Sequence, residues 1–307
     1  MESETKNLIL IVGPTGVGKS TTGIFLAGRI GGEIINCDSM QVYKGFDIGT
    51  DKPSPEEFRQ IPHYLLDIVD SSTQFTAADF IAAALEAIAL ILGKKKIPLI
   101  VGGTGLYFKA LLNGLFPGAG KDPAIRAELE KEAREKGLEF LGKKLEAQDP
   151  AYAGKIGKRD KIRIIRALEV YALTRKPISE HFRNTRSSLK DFHVIKIGLQ
   201  LERTELYRRI EKRVDRMFER GLVREVESLL RQGVEENAPP FRALGYKYVL
   251  KCLKKEITLE EAVALTKKDT RHYAKRQMTW FHKIEGVSWF FPDDRKAILS
   301  YVEDHLR

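Results

Sequence analysis

Gly13-Pro14-Thr15-Gly16-Val17-Gly18-Lys19-Ser20 decides how this chain is read. The octet matches the pattern G-x-x-x-x-G-K-[ST]. It follows a short apolar run, NLILIV (7–12), and opens a helical stretch, Lys19–Ile30, that Gly31-Gly32 stops. Strand, loop and helix in that order are the context in which the pattern wraps a phosphate. Glycines let backbone N–H groups close around the anion. The helix N-terminus adds partial positive charge. Lys19 supplies a full charge, and the Ser20 hydroxyl suits a magnesium ion. The loop implies a pyrophosphate or polyphosphate ligand and is silent on the molecule that carries it. A glycine-rich turn without a ligand is the plainer alternative.

Outward from the loop, short apolar runs alternate with helical stretches: EIINC (33–37), YLLDIV (64–69), an alanine-rich helix over 76–92, and IPLIV (97–101). That alternation predicts a P-loop NTPase-like α/β core, a parallel sheet flanked by helices. After Gly114 the character changes. Residues 115–123 hold two prolines and two glycines and read as a linker, and 123–171 is charged and helical in period. A strand candidate returns at 193–201. Beyond it 204–221 is amphipathic, with Leu206, Ile210, Val214 and Met217 at helical spacing, and further helices are expected over 222–230 and 259–281. The expected organisation is a core of 1–118 and 191–307 ending in basic helices, with an inserted all-helical domain at 119–190.

The 307 residues are 43% hydrophobic, enough to bury a core. Two cysteines, Cys37 and Cys252, cannot build a disulfide framework or a four-ligand zinc site. They point to a reducing compartment and a cytoplasmic protein. No run of eighteen apolar residues is present, so no membrane helix is expected, and the polar start MESETKN does not read as a secretory signal. The net charge of +10 is uneven: −2 over 1–120, +7 over 121–190, 0 over 191–203, +6 over 204–290 and −1 over 291–307. The two cationic stretches fit a polyanionic partner; a solubilising surface charge is the plainer reading.

Two further segments follow strands at the carboxyl edge of the sheet, where ligands of open α/β sheets bind. In Asp38-Ser39-Met40-Gln41-Val42-Tyr43, the carboxylate can accept a proton or ligate metal, or cap a turn. In Gly102-Gly103-Thr104-Gly105-Leu106-Tyr107, Thr104 offers a hydroxyl and is also a helix N-cap candidate. Asp67, inside YLLDIV, reads as a metal partner of the Walker-B kind or, preferably, as a hydrogen-bonded structural residue. Arg126, Arg163 and Arg166 fall in the helical insertion, where a solvated helix face is their plain reading.

Taken together these residues resemble the tRNA dimethylallyltransferases. The matching segments are GPTGVGKS (13–20), DSMQVYKGFDIGTDKP (38–53), GGTGLYFKALLNGL (102–115), RIIRALEVY (163–171), RALGYK (242–247) and TRHYAKRQMTWF (270–281), in family order across nearly the whole chain. The resemblance implies transfer of a dimethylallyl group from dimethylallyl diphosphate to the exocyclic amine of the adenosine 3′ to the anticodon in tRNA. It implies that Gly13, Pro14, Thr15, Gly16, Val17, Gly18, Lys19 and Ser20 hold the diphosphate, with Mg²⁺ on Ser20. It makes Asp38 the general base, with Thr104 near the reacting amine and Arg126 reaching into the site. It places Asp38, Ser39, Met40, Gln41, Thr104, Arg126, Ile162, Arg163, Ile164, Ile165, Arg166, Arg242, Ala243, Leu244, Gly245, Tyr246, Lys247, Lys275, Arg276 and Gln277 at positions that touch the tRNA anticodon stem-loop. Under the resemblance Tyr43, Tyr107 and Phe108 are candidate apolar or stacking walls, with core packing the use of at least one. Ile162 departs from the polar residue many members carry, and Ser20 replaces a frequent threonine. Without a Cys/His cluster the chain resembles the compact bacterial type, and a monomer without membrane attachment is the expectation. A small-molecule P-loop kinase and an adenylate isopentenyltransferase are the competing enzyme readings; an RNA-binding protein with a non-catalytic loop is the third.

Overall fold

The computed structural model of the chain describes residues 6–116, 120 and 122–306. In chain order, β1 (Lys6–Val12) leads through the phosphate loop into α1 (Lys19–Ile30), followed by β2 (Gly32–Cys37), α2 (Pro55–Gln60), β3 (His63–Tyr64), α3 (Ala77–Gly93), β4 (Ile97–Gly102) and α4 (Gly105–Asn113). Five helices come next: α5 (Pro123–Glu135), α6 (Leu138–Gln148), α7 (Pro150–Ala153), α8 (Lys161–Thr174) and α9 (Ile178–Arg183). The chain then returns to β5 (Phe192–Leu199), α10 (Arg203–Glu219), α11 (Leu222–Arg231), α12 (Tyr246–Leu253), α13 (Leu259–Phe281), β6 (Ser288–Phe290) and α14 (Arg295–His305).

Two compact units result: residues 1–109 with 191–307, and Ala110–Lys190. The first holds a six-stranded sheet in the order β3-β2-β4-β1-β5-β6, every pairing parallel. β1 lies inside it, between β4 and β5, which is why NLILIV is an unbroken apolar run: both faces are covered. Leu8, Ile9, Leu10 and Ile11 are at most 1% exposed. Ile9, Ile11, Leu99, Val101, Ile195 and Ile197 pack with Leu26 of α1 and with Leu206 and Ile210 of α10. A second cluster joins Val42, Tyr43 and Phe46 to Met217, Leu222, Val226, Phe241 and Tyr246. It fixes the long segment after β2 against α10, α11 and α12.

Two expectations change here. The strand expected over 64–69 shrinks to His63–Tyr64, because Leu65 and Asp67 have left-handed backbone, φ 64° and 53°. Val69 makes only an isolated bridge with Tyr43. The sixth strand, β6, is too short to stand out as a period-2 pattern and exists through its pairing with β5 at Ile197, Gly198 and Leu199.

The second unit is helical throughout its described residues. Leu129, Leu141, Leu145, Ile164, Ile165 and Leu168 form its core. The segments that enter and leave it are tied together: Leu111 O accepts from Ser188 N at 3.2 Å and Ser187 Oγ at 3.3 Å. Gly114 (φ 81°) sits so close to Arg186 O that a Cβ would approach to 2.1 Å. The compact unit therefore takes in the last turns of α4. The expected boundary at 118–119, and residues 117–119 and 121 of the expected linker, lie outside the described residues.

Candidate active site

The phosphate loop is shaped by two glycines. Gly13 has φ 154°, and a Cβ there would stand 2.7 Å from Leu199 O. Gly18, φ 104°, is the N-cap of α1 and carries no side chain to cap it, so the first-turn N–H groups stay open to an anion. Val17 is wholly buried, so only its backbone serves the loop. Lys19 turns back and donates from Nζ to Pro14 O at 2.8 Å. Burial, helped by Arg213 and opposed by Asp38 and Cys37, pulls Lys19 down to about 7. An arriving anion opposes that shift by giving the buried ammonium a counter-charge. Ser20 is exposed beside it.

A cavity of about 950 Å³ opens over the loop, entirely within the first unit. Its walls include Thr15, Lys19 and Ser20, Asp38 and Gln41 after β2, Arg209, Lys212, Arg213 and Arg216 of α10, and Tyr273 and Gln277 of α13. Asp38 Oδ1 accepts from the backbone N of Met40 at 2.8 Å and of Gln41 at 3.4 Å, closing a turn. The turn cap and the cavity-facing carboxylate are thus one residue. The capping oxygen is Oδ1, and no hydrogen bond engages Oδ2 among the described residues. Thr104 Oγ1 accepts from Ser39 N at 3.0 Å, and Thr104 N donates to Cys37 O at 3.2 Å. Adjacent strands β2 and β4 therefore deliver Asp38 and Thr104 to one edge already laced together.

Gln277, expected to touch RNA, is 5% exposed and spent inside the protein. Its Oε1 accepts from Thr15 N at 2.8 Å and its Nε2 donates to Gly103 O at 2.7 Å, joining the phosphate loop to the loop that carries Thr104. Burial pushes the Tyr273 hydroxyl of the same helix well up.

Sequence reasoning missed the cationic wall on α10. Arg213 donates from Nη1 to Thr15 Oγ1 at 2.5 Å, and its Nε lies 3.0 Å from Asp51 Oδ2. Arg209, Arg213, Arg216 and Arg220 recur at helical spacing on the face beside Leu206, Ile210, Val214 and Met217, a signal that was present but reads equally as a solvated face. Also missed was the clamp on 47–52. Glu225 accepts from the backbone N of Asp47, Ile48 and Gly49 at 3.2, 2.7 and 3.4 Å and from Tyr246 Oη at 2.5 Å. Lys52, its side chain 5% exposed, donates to Tyr43 O, Asp47 and Asp67. Asp67 is accordingly a structural partner of Lys52.

Burial places the side chains of several residues expected at the site inside the core. Tyr246 is wholly enclosed and serves the clamp. Tyr43, Tyr107 and Phe108 are at most 3% exposed; Tyr107 stacks on Phe80 at 4.3 Å. These rings are core. In the second unit Ile164 and Ile165 are 2% exposed and cannot offer side chains to a surface ligand. Arg166 donates to buried Glu169 at 2.7 Å and to Gly120 O at 3.1 Å, so it neutralises a core carboxylate. Ile162 is three-quarters exposed, and Arg163 is exposed with Asp160 3.4 Å away. Arg126 lies on α5 with Glu130 at 3.9 Å. In the first unit, Ser39, Met40, Ala243 and Leu244 are half-buried and Gly245 is buried. Arg242, Lys275 and Arg276 are exposed, and Lys247 pairs with Asp269 at 2.7 Å.

The family model described as IPP transferase matches residues 41–284. A tRNA dimethylallyltransferase of Geobacter metallireducens is 47% identical, over 98% of this chain and 98% of its own. The solved tRNA isopentenylpyrophosphate transferase of Bacillus halodurans is similar with a TM-score of 0.72 at 39% identity, covering 98% of this chain and 97% of that one. A eukaryotic dimethylallyltransferase, solved in snapshots of its action on tRNA, reaches a TM-score of 0.78 at 33% identity, covering 90% of this chain and 70% of that one. No helix among the described residues is long and apolar enough to cross a membrane.

Proposed function

The chain belongs to the IPP transferase family, and on that premise we propose that it moves a dimethylallyl group from dimethylallyl diphosphate to the exocyclic amine of the adenosine 3′ to the anticodon in tRNA. The observation that carries this reading is that Lys19, Arg213 and Asp38 line one cavity over the phosphate loop. Cations and open N–H groups suit the diphosphate; a carboxylate oxygen with no protein partner suits the amine.

In the reaction the amine nitrogen forms a bond to C1 of the dimethylallyl group. The C1–O bond breaks with its electron pair going to the diphosphate, and the amine proton passes to Asp38 Oδ2. Lys19, the loop N–H groups and Arg213 stabilise the charge that grows on the leaving oxygen. Thr104, fixed by the Ser39 N–H, has a hydroxyl hydrogen to orient the amine or the carboxylate. Among the described residues no three His, Cys, Asp or Glu side chains gather into a metal cluster. A Mg²⁺ ion would accordingly be held by the Ser20 hydroxyl together with diphosphate and water oxygens, a donor set that fits a hard cation. When bound, the ion adds charge neutralisation to the leaving group.

A stacked adenine hides its amine, so the base is flipped into the cavity. The exposed cations Arg163, Arg242, Lys275 and Arg276 are the groups we assign to RNA phosphates.

The test supplies radiolabelled dimethylallyl diphosphate, Mg²⁺ and unmodified tRNA, with AMP as the control acceptor. Label in tRNA alone is the expected result. Label in AMP moves the reading to nucleotide prenylation, and label in neither, from folded protein, rejects the transferase.

A further inference from the structure

Four buried side-chain atoms have no hydrogen-bond partner among the described residues, and two of them, Asn36 Nδ2 and Arg213 Nε, belong to residues in the wall of the cavity. Arg213 Nε has an ion-pair partner in Asp51. Asn36 has none. It sits on β2 in register with Val101 of β4, in a strand whose other central residues, Ile34, Ile35 and Cys37, are apolar and buried. Asp38 lies two positions further on, just past the end of the strand, and both residues line the cavity. Asn36 is 9% exposed.

An unpaired buried amide is costly, and an apolar residue of the same size would fit an apolar strand better. A folded chain that carries one in the wall of a ligand cavity has a use for it outside its own packing. Because Asn36 lines the cavity, turning its amide donor toward a bound ligand needs only a rotation about χ2, with β2 left in place. The chemistry needed there is specific. Lys19 and Arg213 already bring positive charge to the loop, and Arg213 repels Lys19. A neutral amide adds a donor without adding charge.

We propose that Asn36 is a diphosphate-binding residue whose amide N–H donates to a non-bridging oxygen of the diphosphate held by the phosphate loop. The assignment rests on the diphosphate reading above. The bond strengthens as the leaving oxygen gains charge, so Asn36 assists ionisation as well as retention.

Titration calorimetry with inorganic pyrophosphate and Mg²⁺ tests it on the full chain, comparing the wild type with Asn36→Leu and Asn36→Asp. The wild type binds. Both variants bind about ten to a hundred times more weakly, the range for losing a hydrogen bond to a charged group. Asn36→Leu keeps or raises the thermal midpoint, because it removes an unpaired donor, and the KM for dimethylallyl diphosphate rises while that for tRNA stays put. Pyrophosphate affinity within about twofold of wild type in both variants overturns the assignment, since a lost charged hydrogen bond exceeds that. A lowered midpoint with equal losses for both substrates makes Asn36 structural and also overturns it. If Asn36→Leu does not fold, the isosteric Asn36→Asp decides on pyrophosphate affinity alone; failure of both to fold assigns the residue to the fold. A wild type that ignores pyrophosphate defeats the diphosphate reading itself, a result distinct from loss in the variants.

Discussion

Replacing Tyr246 by Phe deletes one oxygen and leaves the packing in place. The ring stays enclosed, 5.1 Å from Phe46 and 6.2 Å from Phe241. What disappears is a donor to Glu225 Oε1 at 2.5 Å and an acceptor for Gly49 N at 3.2 Å. Glu225 keeps the N–H groups of Asp47 and Ile48, whereas Gly49 N is left with its 3.4 Å approach to the same carboxylate. The hydroxyl remains a donor at neutral pH, because burial and the neighbouring Glu225 push its pKa well up. A hydrogen bond to a charged acceptor contributes about 1.5–3 kcal/mol, and in a unit of this size each kcal/mol moves the midpoint by about 2–4 °C. A loss of about 2 kcal/mol should therefore lower Tm by roughly 4–8 °C. Thermal denaturation followed by circular dichroism reads this directly. Glu225→Gln in the same background completes a double-mutant cycle, which should give a coupling of about 1–2 kcal/mol. A Tm within about 1 °C of wild type, or strictly additive variants, would refute the clamp, since a charged hydrogen bond is worth more than that.

Asp38→Asn keeps the turn-closing oxygen but removes the base, so kcat for prenyl transfer should fall at least about a hundredfold while gel-shift affinity for tRNA holds; equal loss of both would make the carboxylate structural. Lys19→Ala and Arg213→Ala should each weaken pyrophosphate binding by about tenfold or more, and less than additively in combination, because Arg213 repels Lys19 and a bound anion screens that repulsion; calorimetry on the three variants checks it. Glu33 gives a pH signature. Burial raises its pKa, but donation from Tyr64, Lys94 and Lys96 outweighs burial and leaves it lowered. A depressed folded pKa means stability fully present above the unfolded value of about 4.3 and lost as pH falls through the folded value. Glu33→Gln should therefore lower Tm at pH 7, with the gap to wild type closing below about pH 4; a pH-independent gap would contradict the linkage.

The phosphate loop was legible because its information is local. Eight consecutive residues carry the glycines, the cation and the hydroxyl, and flanking apolar periodicity supplies the strand and helix around them. Long helices such as α1 and α13 were bounded for the same reason, by neighbours within a turn. Asp38 and Thr104 could be placed at the sheet edge from strand order alone, but the hydrogen bond from Ser39 N to Thr104 Oγ1 needed β2 and β4 to be adjacent. The strand after Pro62 was overread because left-handed backbone at Leu65 and Asp67 leaves no trace in hydropathy. Ile164, Ile165 and Tyr246 matched segments expected to touch RNA, yet burial turns their side chains inward. Gln277 and Arg213 reach the phosphate loop across 262 and 198 residues of chain. Sequence pattern reports what a residue can do with its near neighbours in one strand or helix; a hydrogen bond between loops depends on where the packed sheet and helices bring distant backbone, and that position is a sum over contacts no short window contains.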